Sequence, residues 1–134
     1  MTWEIKPYQS VGPIQLGRHR KEIRQQLGPR FTSFAKDVGE NETDAYDDLG
    51  IHLYYDDDNQ IAMLEAFEPA ALSLNGIALL GREFDEVGPH LVKRGYKGKP
   101  TDVGYQYDDA GIALTLNGST IEGVAVFRKG YYEE

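Results

Sequence analysis

Tyr46-Asp-Asp-Leu-Gly-Ile-His-Leu53 and Tyr107-Asp-Asp-Ala-Gly-Ile-Ala-Leu114 decide the fold, because they are nearly the same segment written twice. Six of the eight positions are identical, at an offset of 61 residues. Each stretch places a pair of turn-forming aspartates and a glycine before an alternation that is typical of a strand. The chain is therefore predicted to be a tandem duplication of one structural unit.

The repeat extends on both sides of these segments. Upstream, Gly12-Pro-Ile-Gln-Leu-Gly-Arg18 matches Gly76-Ile-Ala-Leu-Leu-Gly-Arg82 at an offset of 64, and the helical residue Glu22 matches Glu86. Downstream, the matches at an offset of 60 include these pairs: Ile61 with Ile121, and Phe67 with Phe127. Four glycines are predicted to occupy turns that need unusual backbone angles: Gly12, Gly17, Gly76 and Gly81.

Each unit is predicted to contain a helix and then strands, which gives an α+β fold with the helices packed on one face of an antiparallel sheet. Gly28-Pro29 ends the first helix, whereas Gly88-Pro89 falls within the second and predicts a kink or a late start. The first repeat, 1–70, is expected to hold a helix over 18–27 and strands over about 31–36, 51–56 and 61–68. The second, 71–134, is expected to hold a strand over about 71–75, a helix over about 82–94, and strands over about 112–116 and 121–128, packed with the first as one unit.

Composition excludes several classes of protein. With 134 residues and 40% hydrophobic residues the chain is long enough for one folded domain. It contains no Cys, which excludes disulfides, thiol catalysis and cysteine-based metal sites, and no cofactor is expected. A net charge of −8 makes nucleic acid an unlikely partner. No long apolar run or signal-peptide pattern is seen, so no membrane association and a cytoplasmic location are expected.

The acidic charge is concentrated in one segment. Residues 37–81 contain eleven acids and no Lys or Arg, whereas five bases fall within Arg18–Arg30. One interpretation is a set of solvated acidic turns; the other is an acidic surface that steers a basic partner. The basic helix itself is interpreted as a solvated outer surface.

The residues that could carry chemistry do not form a known catalytic or metal motif. The three histidines, His19, His52 and His90, lack metal-ligand spacing. Asp56-Asp57-Asp58-Asn59-Gln60 fails as a calcium loop, because Ile61 and Phe67 stand where that loop needs Gly and Glu. No phosphate-binding loop, dinucleotide fingerprint or nucleophile elbow occurs, so no catalytic residue and no metal ligand is predicted.

Tyrosines and acids instead suggest contact with another protein. Nine Tyr are many for a chain of this length, and Tyr side chains are frequent anchors of interfaces. His52 and Tyr54 alternate with the apolar positions of one strand, so both are expected on its solvated face. The residues expected to bind a partner are His52, Tyr54, Asp56, Asp57, Asp58, Asp47, Asp48, Tyr131 and Tyr132.

The layout resembles that of the beta-lactamase-inhibitor-protein family and of the small lipoprotein module of the outer-membrane barrel-assembly machine. Five residues carry the resemblance in the first half and five in the second: Gly12, Leu16, Gly17, Glu22 and Leu27, and Gly76, Leu80, Gly81, Glu86 and Leu91. This chain lacks the cysteines that both families carry. The resemblance therefore implies a sheet that binds a partner protein with its open face, and neither family's specific activity.

Three functional hypotheses follow. The first is a protein-binding inhibitor of the immunity or antitoxin type, which occludes a basic toxin or nuclease domain with acidic and Tyr side chains. The second is a housekeeping or regulatory interaction domain. The third is a small-molecule binder or enzyme with a site between the repeats; a pocket that joins His52 to two carboxylates would favour it.

Overall fold

The described residues form two helices and thirteen strands, many of them short. A computed structural model describes residues 2–35 and 41–130. The first half contains β1 (Trp3–Lys6), β2 (Ser10–Val11), β3 (Ile14–Gln15), α1 (Arg20–Leu27), β4 (Thr32–Phe34), β5 (Thr43–Tyr46), β6 (Ile51–Tyr55) and β7 (Ile61–Phe67). The second contains β8 (Leu72–Leu74), β9 (Ile77–Ala78), α2 (Phe84–Lys93), β10 (Lys99–Pro100), β11 (Gly104–Tyr107), β12 (Ile112–Asn117) and β13 (Thr120–Phe127).

These strands form two sheets. The larger has eight strands in the order β10-β11-β12-β13-β7-β6-β5-β4, and all its pairs are antiparallel. The last strands of the two halves meet at its centre, where Val124 of β13 pairs with Ala66 of β7. The smaller sheet has the order β3-β2-β1-β8-β9, in which β1 and β8 are parallel. Two helices with mostly antiparallel sheets confirm the predicted α+β class.

The two halves make the same backbone hydrogen bonds before their helices. Gly17 N donates to Ile61 O at 2.8 Å, and Ile61 N donates to the carbonyl of the residue after Gly17 at 2.9 Å. In the second half Gly81 N donates to Ile121 O at 2.9 Å, and Ile121 N donates back to the carbonyl after Gly81 at 2.8 Å. Each glycine turn is thus tied to the start of the strand that ends its half.

The core lies against one face of the large sheet, called the inner face. Both helices cover this face: Arg24 of α1 contacts Asp44, and Phe84 of α2 stacks on Tyr105 at 4.3 Å. By strand register, Asp44 and Tyr105 share that face with the buried Leu53 and Leu114. Buried side chains of both sheets and both helices join in one cluster, which includes Ile5, Ile14, Ile23, Leu53, Leu64, Leu72, Leu91, Leu114 and Val124.

Both helices differ from their predicted bounds for physical reasons. α1 begins at Arg20 because the Nδ1 atom of His19 accepts a hydrogen bond from Lys21 N at 3.1 Å, which caps the first turn. α2 begins at Phe84 and continues through Gly88-Pro89 to Lys93, so it does not start late. Neither helix is long and apolar enough to cross a membrane, as far as the described residues show.

Three strands of the large sheet were not among the predictions: the two-residue β10, and the four-residue β5 and β11. β5 and β11 each precede one of the repeated aspartate turns and pair with β6 and β12 along four residues. β5 is buried at all four positions, Thr43–Tyr46, including a buried aspartate, so it lacks the apolar–polar alternation that reveals a half-exposed strand. The predicted 31–36 strand appears as β4, and residue 36 lies outside the described residues.

The four glycines predicted to need unusual backbone angles have φ values in the left-handed region, which confirms that prediction. The values are +54° at Gly12, +87° at Gly17, +78° at Gly76 and +77° at Gly81. Gly50, which follows the Asp47-Asp48 turn, has φ of +73° and is also sterically confined. A Cβ at this position would lie 2.3 Å from the carbonyl oxygen of Phe67.

Replacing Gly50 by alanine is expected to destabilise the fold far more than the same change at Gly17. Gly17→Ala meets no atom within 4 Å, so only its left-handed backbone opposes the substitution, at a cost of about 1–2 kcal/mol. Gly50→Ala adds a collision with the backbone that joins β7 to β8. Urea unfolding followed by circular dichroism measures both. Equal losses in the two variants would contradict this account of the Gly50 turn.

Candidate functional site

The second face of the large sheet, called the outer face, faces away from both helices. Its side chains in the centre of the sheet are partly exposed, in contrast to the buried residues that alternate with them. By register, the outer face in the first half carries Phe34, His52, Tyr54, Met63, Glu65 and Phe67. In the second half it carries Gly104, Gln106, Ala113, Thr115, Gly123, Ala125 and Phe127.

An aromatic row crosses the first half of the outer face. The rings of Phe34 and His52 lie 6.1 Å apart, and those of His52 and Phe67 lie 5.3 Å apart, both edge to face. Tyr54 OH donates to Glu65 Oε1 at 3.0 Å beside this row. Such ring pairs hold one another in place, so the row offers a rigid, amphipathic surface.

The second half of the outer face has mostly small residues, and its Phe127, at the end of β13, is buried. Where the first half has His52 and Tyr54, the equivalent strand positions hold Ala113 and Thr115. Gly123 lies beside Phe67, close enough that a Cβ there would contact its ring at 3.5 Å. The large side chains of the aromatic row therefore project further from the sheet than the small side chains of β12 and β13.

The structure places most of the predicted binding residues along β6. His52 and Tyr54 lie on the outer face as predicted, and Asp47 approaches His52 at 3.4 Å. Asp47 and Asp48 lie in the turn before β6, whereas the three aspartates 56–58 lie in the turn after it. The two acidic turns therefore stand at opposite ends of the sheet rather than in one patch. Tyr131 and Tyr132 lie outside the described residues.

Asp56 is a structural residue of its turn. Its carboxylate accepts hydrogen bonds from the backbone N–H groups of Asp58 and Gln60, at 2.9 and 3.0 Å, and pairs with Arg128 at 2.5 Å. Partial burial alone would raise its pKa, but these donors outweigh it and hold the pKa of Asp56 below its usual value. Asp57 and Asp58 are exposed, and within the described residues neither forms an ion pair with a base.

A buried ion pair that the sequence did not reveal lies beneath the first half of the sheet. Asp44 is fully buried and accepts two hydrogen bonds from the Arg24 guanidinium, both at 2.8 Å. Ser33 Oγ and Tyr55 OH also donate to this carboxylate, at 2.5 and 2.8 Å. A bidentate guanidinium with two hydroxyl donors satisfies the carboxylate fully. Arg24 thereby ties α1 to β5, and this member of the basic helix is not solvated as predicted.

The pKa values around this pair show that Asp44 is ionised. Burial alone would raise its pKa, but the hydrogen bonds from Arg24, Ser33 and Tyr55 reverse that effect and lower it. Burial and the Asp44 charge raise the pKa of Tyr55 and bring that of Tyr46 to about 12, so both phenols stay protonated. The buried Tyr46 hydroxyl has no hydrogen-bond partner among the described residues.

The arginines neutralise part of the acidic segment. Arg24, Arg30 and Arg128 all lie outside residues 37–81 in sequence, yet each pairs with an aspartate inside it. The pair between Arg30 and Asp48 is long, at 3.5 Å, and both of its side chains are exposed. Among the described residues of the segment, the exposed acids that pair with no arginine are Asp47, Asp57 and Asp58 in the turns that flank β6, together with Glu42 and Glu68.

Two acidic residues, Asp47 and Glu65, lie next to His52. Glu65 is the register partner of His52 on the neighbouring strand, but its carboxylate accepts a hydrogen bond from Tyr54 OH. His52 lines neither the depression beside Phe67 and Glu68 nor the two depressions beside Asp48. In the described part of the chain, no three His, Asp or Glu side chains converge to hold a metal ion.

The Arg24–Asp44 pair gives a test of stability. Asp44→Ala leaves the guanidinium and two hydroxyls without their acceptor, and we expect a loss of about 3 kcal/mol in the free energy of unfolding at pH 7. Because the folded pKa of Asp44 is lowered, its contribution is present above the unfolded pKa of about 4 and declines as pH falls below it. The difference between wild type and variant should therefore shrink from pH 5 to pH 3, as measured by urea unfolding.

Asp102→Asn, a change at an exposed acid, serves as the matched control and should leave stability within about 0.5 kcal/mol of wild type. A difference between wild type and Asp44→Ala that stays constant down to pH 3 would contradict an ionised, hydrogen-bonded Asp44.

Comparison with protein families, curated proteins and solved structures finds no significant match for this chain.

Proposed function

We propose that this chain is a protein-binding module, an inhibitor of the immunity or antitoxin type that occludes a basic partner with the outer face of its large sheet. The observation that carries the proposal is the outer face itself: one half bears an aromatic row, the other has mostly small residues, and exposed acidic turns stand at both ends of β6. Such a surface fits a protein better than a small molecule, because it is broad and open.

A comparison of the two faces supports a binding role. Equivalent inner-face positions keep their character between the halves, as Leu53 and Leu114 show, since both fill the same core. Two equivalent outer-face positions differ, because His52 and Tyr54 correspond to Ala113 and Thr115, whereas Phe67 and Phe127 are both Phe. Packing constrains the inner face in both halves, whereas an uncovered face is constrained only by what it contacts. The asymmetry of the outer face is therefore consistent with one partner that lies across both halves.

We further propose that the chain is a tandem duplication whose layout follows that of the beta-lactamase-inhibitor-protein family. The matched sequence blocks and the equivalent hydrogen bonds of Gly17 and Gly81 support the duplication. The sheet order, in which the last strand of each half meets at the centre, also fits a repeated unit. In this proposal one continuous sheet presents a face that neither half could offer alone.

Electrostatics define the partner as basic. The net charge is −8, and the exposed turn acids Asp57 and Asp58 lie at one end of β6 with Asp47 at the other. Carboxylates so placed would meet the Lys and Arg side chains with which a nuclease or similar toxin holds phosphate. Association should accordingly be fast at low salt and slow as salt screens the charges.

Affinity capture from the native host at low salt tests the proposal, followed by kinetics with the purified partner. We expect a basic protein to be retained. Ala113→Arg, which places a cation on the outer face, should weaken its binding by roughly tenfold or more. Val92→Arg is the matched control, because Val92 is exposed on α2, on the other side of the sheet. If no protein is retained, or if both variants bind as wild type does, the proposal fails.

The acidic turn after β6 should control the association rate. The double variant Asp57→Asn/Asp58→Asn leaves the structural Asp56 intact and is expected to slow association several-fold at low salt, with little effect on dissociation. The control is Asp85→Asn/Asp102→Asn, which removes the same charge from exposed positions elsewhere. Stopped-flow or surface-plasmon-resonance kinetics across a salt series makes the comparison. Equal association rates for the two double variants would remove this turn from the interface.

A further inference from the structure

A small apolar pocket lies where the two halves of the chain meet. Its volume is about 280 Å³, and it lies between the start of β1, the turn before β6 and the connection from β7 to β8. Five apolar residues and one carboxylate line it: Trp3, Leu49, Pro69, Ala70, Ala71 and Asp48. Its volume is just below the range of about 300–1,000 Å³ that is typical of pockets for drug-sized ligands. It therefore suits a single side chain.

The wall formed by Trp3 is held in place before any ligand arrives. Trp3 N donates to Ala71 O at 2.9 Å, and its register partner in the parallel pair is Leu72 of β8. Gly12 packs so closely against the indole that a Cβ there would lie 2.5 Å from Trp3 Cγ. A wall that is already ordered loses little freedom on binding, so the contacts it makes contribute to affinity in full.

The chemistry of the lining selects an alkyl cation. An indole face attracts a guanidinium through its quadrupole, the neighbouring aliphatic side chains accept an apolar stem, and Asp48 supplies a carboxylate as counter-charge in the lining. Leu49 is exposed despite its apolar side chain, at 39% of its surface, so this lining is open to a partner. A neutral side chain would leave the carboxylate without a counter-charge.

Arg30 shows that a guanidinium can approach this carboxylate. Its Nη1 atom lies 3.5 Å from Asp48 Oδ2, while the rest of the side chain is exposed and is not among the residues that line the pocket. An exposed pair at this distance contributes little stability. Arg30 therefore acts as a weak internal competitor that an arginine entering the pocket can displace.

We infer that the pocket between Trp3, Leu49 and Asp48 receives an arginine side chain of the basic partner. The inference rests on the proposed function and adds to it a position and a residue type. The turn that supplies Asp48 also supplies Asp47, which approaches His52 on the outer face. A partner lying along β6 can thus reach the pocket at the end of the sheet where this turn lies.

A titration of the isolated chain tests the chemistry without the partner. The probe is butylguanidinium, which carries an alkyl stem and a guanidinium; butylurea is its neutral counterpart of the same shape. Trp3 is the single Trp of the chain, so its fluorescence and its indole N–H resonance report on this pocket directly. We expect saturable changes with butylguanidinium, with Kd on the order of 1 mM, and none with butylurea at equal ionic strength.

Variants separate the pocket from general charge. Asp48→Asn should weaken the probe about tenfold, whereas Asp109→Asn, at the equivalent turn of the second half, should leave its affinity unchanged. Arg30→Gln should tighten binding two- to threefold by removing the competitor. No response of Trp3, an equal response to butylurea, or equal affinities of the Asp48 and Asp109 variants would each overturn the inference.

The partner completes the test and separates it from the proposed function. With the captured protein, Asp48→Asn should lower affinity at least tenfold relative to Asp109→Asn. A partner that binds the two variants equally overturns the pocket's role while the proposed function stands. A probe that binds as expected, with no protein captured at low salt, overturns the proposed function and with it the assignment of the pocket to a partner's arginine.

Discussion

The antiparallel pairing of β7 with β13 is the interaction on which the rest of the architecture depends. It joins two four-stranded halves into one sheet of eight strands and places the last strand of each half at the centre. Without it, each half would present an unpaired edge and a small core. Because the pair is central, the inner-face residues of both strands, such as Leu64 and Val124, lie in the interior, and the outer face becomes continuous across the two halves.

One face of this sheet is occupied and the other is available. The helices and the small sheet cover the inner face, where Leu53 and Leu64 join residues of both sheets in one core. The outer face carries the aromatic row of the first half beside the small residues of the second. The same strand arrangement thus supports two different faces. The residues of the inner face are determined by burial in the core, and those of the outer face by what the sheet contacts.

Much of this arrangement was predictable from local patterns, and the parts that were not have a common reason. β6 alternates in polarity, Asn117-Gly118 marks the turn between β12 and β13, and the glycines of the repeated blocks need left-handed backbone, so short segments reveal these features. β5 was not predicted, because its burial depends on contacts with a neighbouring strand and a helix. Arg24 looked solvated because its partner, Asp44, is twenty residues away and its pairing is set by tertiary structure. For the same reason the predicted acidic residues do not form one patch, because β6 separates the turn that contains Asp47 and Asp48 from the turn that contains residues 56–58.

The parallel pair of β1 and β8 has a consequence for how the chain is assembled. β1 lies at the start of the first half and pairs there with β2, yet its parallel partner, Leu72–Leu74, belongs to the second half. β7 likewise waits for β13 at the far end. Within the first half, β1 and β7 therefore each have one neighbour, and the second neighbour of each comes from the other half. Folding therefore depends on contacts between residues far apart in sequence, and such non-local pairing makes folding slow for a domain of this size.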